Sequence, residues 1–182
     1  CGIAGRFNHR SRRPVAESDL RRMAKRMDHR GPDGEGFWTE PLGKGGSVGF
    51  AHKRLAIIDL EGGYQPMQNA DGSLVIVFNG EIFNYLELFE ELKGFGLYPQ
   101  TKSDTEAILL AYQAWGLEFP KKLNGMFAIA LWDTKKRRLV MVRDRMGVKP
   151  LYYAENDDGV TFASELKALR GIDGIDTSLD PE

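Results

Sequence analysis

Cysteine is all but missing from this chain: there is one in 182 residues, and it is Cys1. A single thiol excludes an internal disulfide and suits a reducing compartment such as the cytoplasm. The three histidines, His9, His29 and His52, show no ligand spacing, so no metal site is expected. No run approaches the ~20 apolar residues of a membrane-spanning helix, and no apolar signal segment opens the chain. Charge has no dominant sign, with 25 Lys+Arg against 26 Asp+Glu and a net charge of −1. The basic clusters Arg10, Arg12, Arg13 and Arg21, Arg22, Lys25, Arg26 read as solvated faces. Neither nucleic acid nor a membrane is therefore expected as a partner. The glycines of segment 43–46 make no phosphate loop, because no Gly-Lys-Ser/Thr follows them.

What is present suffices for one domain. A chain of this length buries about 70% of its unfolded surface without staples. The 21 glycines suit many tight turns between strands. Strands are expected over 3–7, 37–38, 47–55, 74–78, 127–132, 139–143, 151–153 and 160–163. The run Leu74-Val75-Ile76-Val77-Phe78 is apolar on both faces and reads as a buried central strand, interrupted by Asn79-Gly80. A first helix is expected from an N-cap at Ser18 to about His29, before Gly31-Pro32. A second runs from Asn84 to about Lys93 with Leu86, Phe89 and Leu92 inward. A third opens on the capping-box pattern Ser103-Asp104-Thr105-Glu106 and runs to about Trp115. Ser164 caps a short fourth to about Arg170. Strands, two central helices, then strands again give an α+β fold with mostly antiparallel sheets. A domain over 1–170 followed by a linker over 171–182 is expected.

Cys1 carries a thiol and, as a first residue, a free α-amine on one carbon. Their unperturbed pKa values are about 8.5 and about 7.7–8.0. A nucleophile and a base near neutrality then share one residue, which is the logic of N-terminal-nucleophile catalysis. An ordinary small apolar residue is the plain alternative. Attack on an amide needs donors for the developing oxyanion. The Asn79 amide and the Gly80 N–H could supply them, although Asn-Gly is also a common hairpin turn. Arg54, set between apolar stretches, suits a carboxylate, with Asp59 as an internal candidate. Asp104 sits in the first turn of a capped helix. There it either offsets the helix dipole or receives a substrate ammonium.

Taken together these segments resemble the glutaminase domain of class II glutamine amidotransferases, of the asparagine-synthetase type. The matching pieces begin with Cys1-Gly2-Ile3-Ala4-Gly5, His29-Arg30-Gly31-Pro32-Asp33 and Arg54-Leu55-Ala56-Ile57-Ile58-Asp59-Leu60. They continue with Gln65-Pro66-Met67, Asn79-Gly80-Glu81-Ile82-Phe83-Asn84 and Ser103-Asp104-Thr105-Glu106. The last are Asn124-Gly125-Met126-Phe127-Ala128, the stretch from Asp144 to Tyr153, and Phe162-Ala163-Ser164-Glu165-Leu166-Lys167. The ordered set, covering nearly the whole chain, is specific where no one piece is. The resemblance implies an N-terminal-nucleophile hydrolase fold, an αββα sandwich of two mostly antiparallel sheets between helices. It implies hydrolysis of L-glutamine to glutamate and ammonia through a thioester on Cys1, with the Cys1 amine as base. It assigns Asn79 and Gly80 to the oxyanion hole and Arg54 to the substrate carboxylate. Asp104, with Glu81 or its backbone, takes the substrate amine, and Leu55, Ala56, Ile57 and Ile58 line the pocket, largely through backbone. Segment 62–67 corresponds to a loop that closes over substrate, Arg30 supports the site, and segment 144–150 is structural. Ala56, Tyr64, Phe83 and Met146 stand where the family more often has Ser, His, Tyr and Phe.

The family's second domain activates an acceptor carboxylate with ATP and Mg on a Ser-Gly-Gly-type phosphate loop. No such loop occurs in this sequence. A synthetase domain in the same chain or in a partner chain is therefore expected, and no cofactor for this domain. Aspartate is the default acceptor, with other carboxylates as alternatives; self-association into a homo-oligomer is left open. An amidase for another amide, or a non-catalytic docking domain, are the rival readings.

Overall fold

The structure, a computed structural model, describes residues 1–43, 45–55, 63–176 and 178. In chain order its elements are β1 (Gly2–Asn8), α1 (Glu17–Lys25), β2 (Gly34–Pro41), β3 (Ser47–Arg54), β4 (Met67–Gln68), β5 (Leu74–Ile82), α2 (Tyr85–Lys93) and α3 (Asp104–Trp115). There follow β6 (Gly125–Asp133), β7 (Arg138–Arg143), β8 (Tyr152–Glu155), β9 (Val160–Ala163) and α4 (Leu166–Leu169). They form a sheet in the order β2-β3-β1-β9-β8 and another in the order β4-β5-β6-β7. Every recorded strand pairing is antiparallel.

Three apolar layers hold the two sheets and their helices together. Between the sheets lie Ile3, Val48, Phe50, Val75, Val77, Ala128, Trp132 and Phe162. Beneath α1 and α4 lie Ala4, Leu20, Met23, Ala51, Ala163 and Leu169. Beneath α2 and α3 lie Ile76, Phe78, Leu92, Ile108, Phe127 and Leu131. Strand alternation explains the layering, since neighbours such as Ile3 and Ala4, or Val77 and Phe78, face opposite ways. The result is helix, sheet, sheet, helix: the expected αββα sandwich.

Several local expectations are corrected. Helix α1 starts at Glu17 after Ala16, without a side-chain cap, so Ser18 lies inside its first turn. It ends at Lys25, where the Met27 N–H turns back to the Ala24 carbonyl, and a short 3₁₀ turn over Asp28–Arg30 follows. In α2 the inward stripe is Leu88, Phe89 and Leu92, with Leu86 60% exposed. Asn84 does not cap that helix with its side chain; Oδ1 accepts from Asn124 N and Nδ2 donates to the Lys122 carbonyl, both at 2.9 Å. The Ser103 hydroxyl does cap α3, accepting from Thr105 N. Glu106, however, reaches the Gln100 and Thr101 N–H groups rather than closing the capping box. Asn79-Gly80 does not interrupt β5, which runs through both to Ile82. Of segment 171–182, only 171–176 and 178 are described, and there Ile172 is buried beneath α1.

Ser164 was expected to cap α4. Instead, its hydroxyl accepts the Ile3 N–H at 3.0 Å, while its own N–H donates to the Ile3 carbonyl at 2.8 Å. This pair ties the end of β9 to β1 two residues from the chain's first atom. Ser164 is fully buried, so Ser164→Ala leaves the Ile3 N–H unsatisfied. The expected loss is about 1–3 kcal/mol, read as a fall of about 2–12 °C in Tm. An unchanged melting curve would show that this tie contributes nothing.

Candidate active site

The period-two alternation that fills the space between the sheets also builds a site at one end of it. Ile3 on β1, Phe50 on β3 and Val77 on β5 point into the shared core. Cys1, His52, Arg54 and Asn79 continue those same inward rows. Where the apolar filling stops they line a cavity of about 140 Å³, together with Leu55, Gly80, Glu81 and Asp104. That is well below the ~300–1,000 Å³ of pockets for drug-sized molecules, and suits a ligand as small as a free amino acid. Most of the residues singled out in the sequence thus meet at one place. Ala56, Ile57 and Ile58 lie outside the described residues, as does Gly62 at the start of the expected closing loop.

At Cys1, Sγ lies 3.5 Å from the Leu55 carbonyl, to which it can donate, and accepts from the Leu55 N–H at 3.3 Å. The backbone of Leu55 therefore fixes the thiol. The Cys1 carbonyl accepts from Arg30 Nε at 3.0 Å. Arg30 Nη1 and His29 Nε2 both reach Glu165 Oε1, at 2.8 and 2.9 Å. The Arg30 hydrogen bond leads in holding the Glu165 carboxyl down at about 2. Gly31 lets this segment lie against β3, because a Cβ there would meet the Lys53 backbone at 2.4 Å. Burial, then the positive charges of Arg30 and Lys149, lowers the Cys1 amine to about 6, against the opposing pull of Asp33 and Glu81.

Asn79 and Gly80 sit within β5, opposite Ala128 and Phe127 of β6. Gly80 has φ +154°, and a Cβ would lie 2.0 Å from the Met126 carbonyl oxygen, so only glycine fits. Asn79 is buried, and its Nδ2 has no hydrogen-bond partner among the described residues. Arg54 is buried too, with its guanidinium 4.6 Å from the centre of the Tyr64 ring. Asp104 Oδ2 accepts from Ile82 N at 3.0 Å, and burial raises the pKa of its carboxyl. Glu81 is raised as well, by burial and then by the charge of Asp104.

The cavity also holds His52, Thr105 and Met126, to which the sequence assigned no role at the site, with Gln65 of the expected closing loop and Lys149 of the segment expected to be structural. Gln65 bridges to β5 and α3, its Oε1 accepting from Phe78 N at 2.6 Å and its Nε2 donating to Thr105 Oγ1 at 3.3 Å. Lys149 is brought in by a turn folded around Asp144, whose carboxylate accepts from four backbone N–H groups: Phe127, Met146, Val148 and Lys149. Burial works against the Asp144 charge, yet those N–H groups hold its pKa below the ordinary value. His52 carried a usable signal, a polar residue two places before Arg54 on an apolar strand. Among the described residues, no three His, Cys, Asp or Glu side chains are grouped so as to hold a metal ion, and no helix is long and apolar enough to cross a membrane.

The lowered amine has a consequence for stability. Between about pH 6 and about pH 8 the unfolded chain keeps a proton that the folded chain has released, so stability rises with pH across that window. A ¹⁵N-detected titration of the Cys1 amine is expected to show a midpoint near 6. In Arg30→Gln the midpoint should move up towards the ordinary value. A midpoint near 8 in the unaltered protein would contradict the burial seen here.

A sequence-family model described as "Glutamine amidotransferase domain" matches residues 1–182. Asparagine synthetase [glutamine-hydrolyzing] 1 of Bacillus subtilis is 42% identical over 93% of this chain and 26% of its own length. Asparagine synthetase [glutamine-hydrolyzing] 1 of Saccharomyces cerevisiae is 38% identical over 97% of this chain and 30% of its own. The chain thus spans about a quarter to a third of the length of such curated relatives. Among solved structures, glutamine phosphoribosylpyrophosphate amidotransferase from B. subtilis superposes with a TM-score of 0.74 at 22% identity, over 93% of this chain and 43% of that one. That likeness shows the shared fold.

Proposed function

Because the chain belongs to the glutamine amidotransferase domain family, we propose that it hydrolyses L-glutamine to glutamate and ammonia with Cys1 as nucleophile. One observation carries the reading. A thiol and an amine lowered to about 6 share one residue at a cavity lined by the cation Arg54 and by the acids Asp104 and Glu81. A zwitterionic amino acid suits those charges better than a simple amide does.

The steps follow from the groups in place. Arg54 takes the α-carboxylate of glutamine in a charge-assisted bond, and Asp104 with Glu81 takes the α-ammonium. Both acids are raised by burial, so a bound ammonium relieves a cost that the empty site carries. The Cys1 amine accepts the thiol proton, directly or through a water, and the sulfur attacks the carboxamide carbon. Charge develops on the amide oxygen, towards Asn79 Nδ2 and the Gly80 N–H. The ammonium form of Cys1 then protonates the departing nitrogen, ammonia leaves, and a γ-glutamyl thioester remains. The amine next takes a proton from water, which attacks the thioester and releases glutamate and the free thiol.

The relatives are named as asparagine synthetases. The ammonia is accordingly assigned to an ATP- and Mg-dependent synthetase half, in the same chain or a partner chain, with aspartate as the favoured acceptor. The domain itself is read as residues 1–170, with 171–182 leading towards that half, and as needing no cofactor of its own. A catalytic thiol that must stay reduced supports a cytoplasmic setting for the reaction.

Cys1→Ala should abolish release of glutamate from glutamine, and one extra residue ahead of Cys1 should do nearly the same. Robust turnover by the extended protein would remove the amine from the mechanism. The two binding assignments separate kinetically. Arg54→Ala should mainly raise KM, whereas Asn79→Ala should lower kcat by about 10²–10³. The reverse split would show that the two roles are exchanged.

A further inference from the structure

His52 lines the cavity, and the steps above leave its chemistry unused. It is 1% exposed on β3, and its Nε2 lies 3.2 Å from the Phe78 carbonyl oxygen of β5. A carbonyl can only accept, so Nε2 carries the ring proton and Nδ1 is bare. Burial, opposed by that hydrogen bond and helped by the nearby charges of the Cys1 amine and Arg54, lowers the imidazole to about 3. The ring is thus held neutral near pH 7, with Nδ1 as an acceptor. Its Nδ1 is buried with no hydrogen-bond partner among the described residues, and the same is true of Nδ2 of Asn79, which lines the same cavity. Buried polar groups left unpaired are costly, and two of them on residues that line one cavity call for a common explanation.

The geometry points to His52 as the residue that tells the ligand's carboxamide from a carboxylate: Asn79 Nδ2 offers a donor and His52 Nδ1 an acceptor, and an amide complements both. An amide presents one acceptor oxygen and one donor nitrogen, so each buried group finds its match. A carboxylate presents two acceptors, so the bare Nδ1 would face a lone pair. Sites built to pair a polar group reject analogues that leave it unpaired, and here the analogue is the reaction's own product, glutamate. The effect is to favour substrate over product. This inference rests on the glutamine reading above.

The test uses the full chain as Cys1→Ala, which keeps the α-amine but cannot turn over, titrated by calorimetry with L-glutamine and with L-glutamate. With His52 in place, glutamine should bind more tightly by roughly tenfold or more, the worth of about one hydrogen bond. Adding His52→Phe keeps a ring but removes the acceptor. Glutamine affinity should then fall roughly tenfold while glutamate holds or improves, so the preference collapses. His52→Gln, which retains an acceptor, should keep most of it. Should His52→Phe not fold, the ¹⁵N resonance of His52 Nδ1 in the Cys1→Ala protein gives the same answer, moving with glutamine and not with glutamate. Equal losses for both ligands in His52→Phe, or an Nδ1 resonance indifferent to glutamine, would overturn the assignment. Intact glutamine binding with an unchanged preference in His52→Phe would overturn it for His52 alone. A protein with His52 present that binds neither ligand would overturn the glutamine reading, and this one with it.

Discussion

Removal of water from the mouth of the inter-sheet space governs the ionisable groups there. Burial disfavours whichever form is charged. It is the leading cause of the lowered amine of Cys1, the raised carboxyls of Asp104 and Glu81, and the nearly unprotonatable ring of His52. The Cys1 amine, lowered to about 6 by burial first and then by the charges of Arg30 and Lys149, is thereby mostly neutral near pH 7. The two acids carry the opposite burden, since they are useful only when charged. A ligand bringing its own ammonium resolves that conflict where the acids sit. The amine, among Arg30 and Lys149, stays free of its proton.

Holding Cys1 in place is a separate requirement, because a reactive group must be kept within a narrow geometry. Here the ties are made through backbone atoms. The Cys1 carbonyl is held by Arg30, the Ile3 amide and carbonyl by Ser164, and Sγ by the Leu55 backbone. Arg30 is itself fixed by Glu165, on the turn just after Ser164. Residues far apart in sequence thus converge on the first three, and none of these contacts is made to the amine.

The sequence made the layers legible because they depend on alternation. Leu74 to Phe78, apolar on both faces, could only be a strand covered on both sides, and it lies between the inter-sheet core and the α2–α3 layer. The inward positions of Arg54 and Asn79 follow from the same period. Choices between equivalent local patterns were harder. Asn-Gly suits a turn on propensity, yet at 79–80 strand pairing with β6 prevails, because the glycine lets the two backbones approach where no Cβ fits. Ser164 and Asn84 have the chemistry of helix caps, but tertiary partners claim their side chains. Lys149 and Gln65 reach the cavity from a turn and a loop, where no period predicts direction.

The same strands therefore do two jobs, and the border between them is abrupt. On β3, Val48 and Phe50 belong to the core while His52 and Arg54, the next two inward positions, belong to the cavity. On β5, Val75 and Val77 give way to Asn79 in the same fashion. Rigid sheet positions hold functional groups more narrowly than loops do, and here the preceding apolar residues of each row set where the polar one falls. A shift of pairing by one residue would turn every one of these side chains to the other face. The packing that selects the register of β1, β3 and β5 therefore also selects the arrangement of Cys1, Arg54 and Asn79. Stability of the sandwich and precision of the site are consequences of one register.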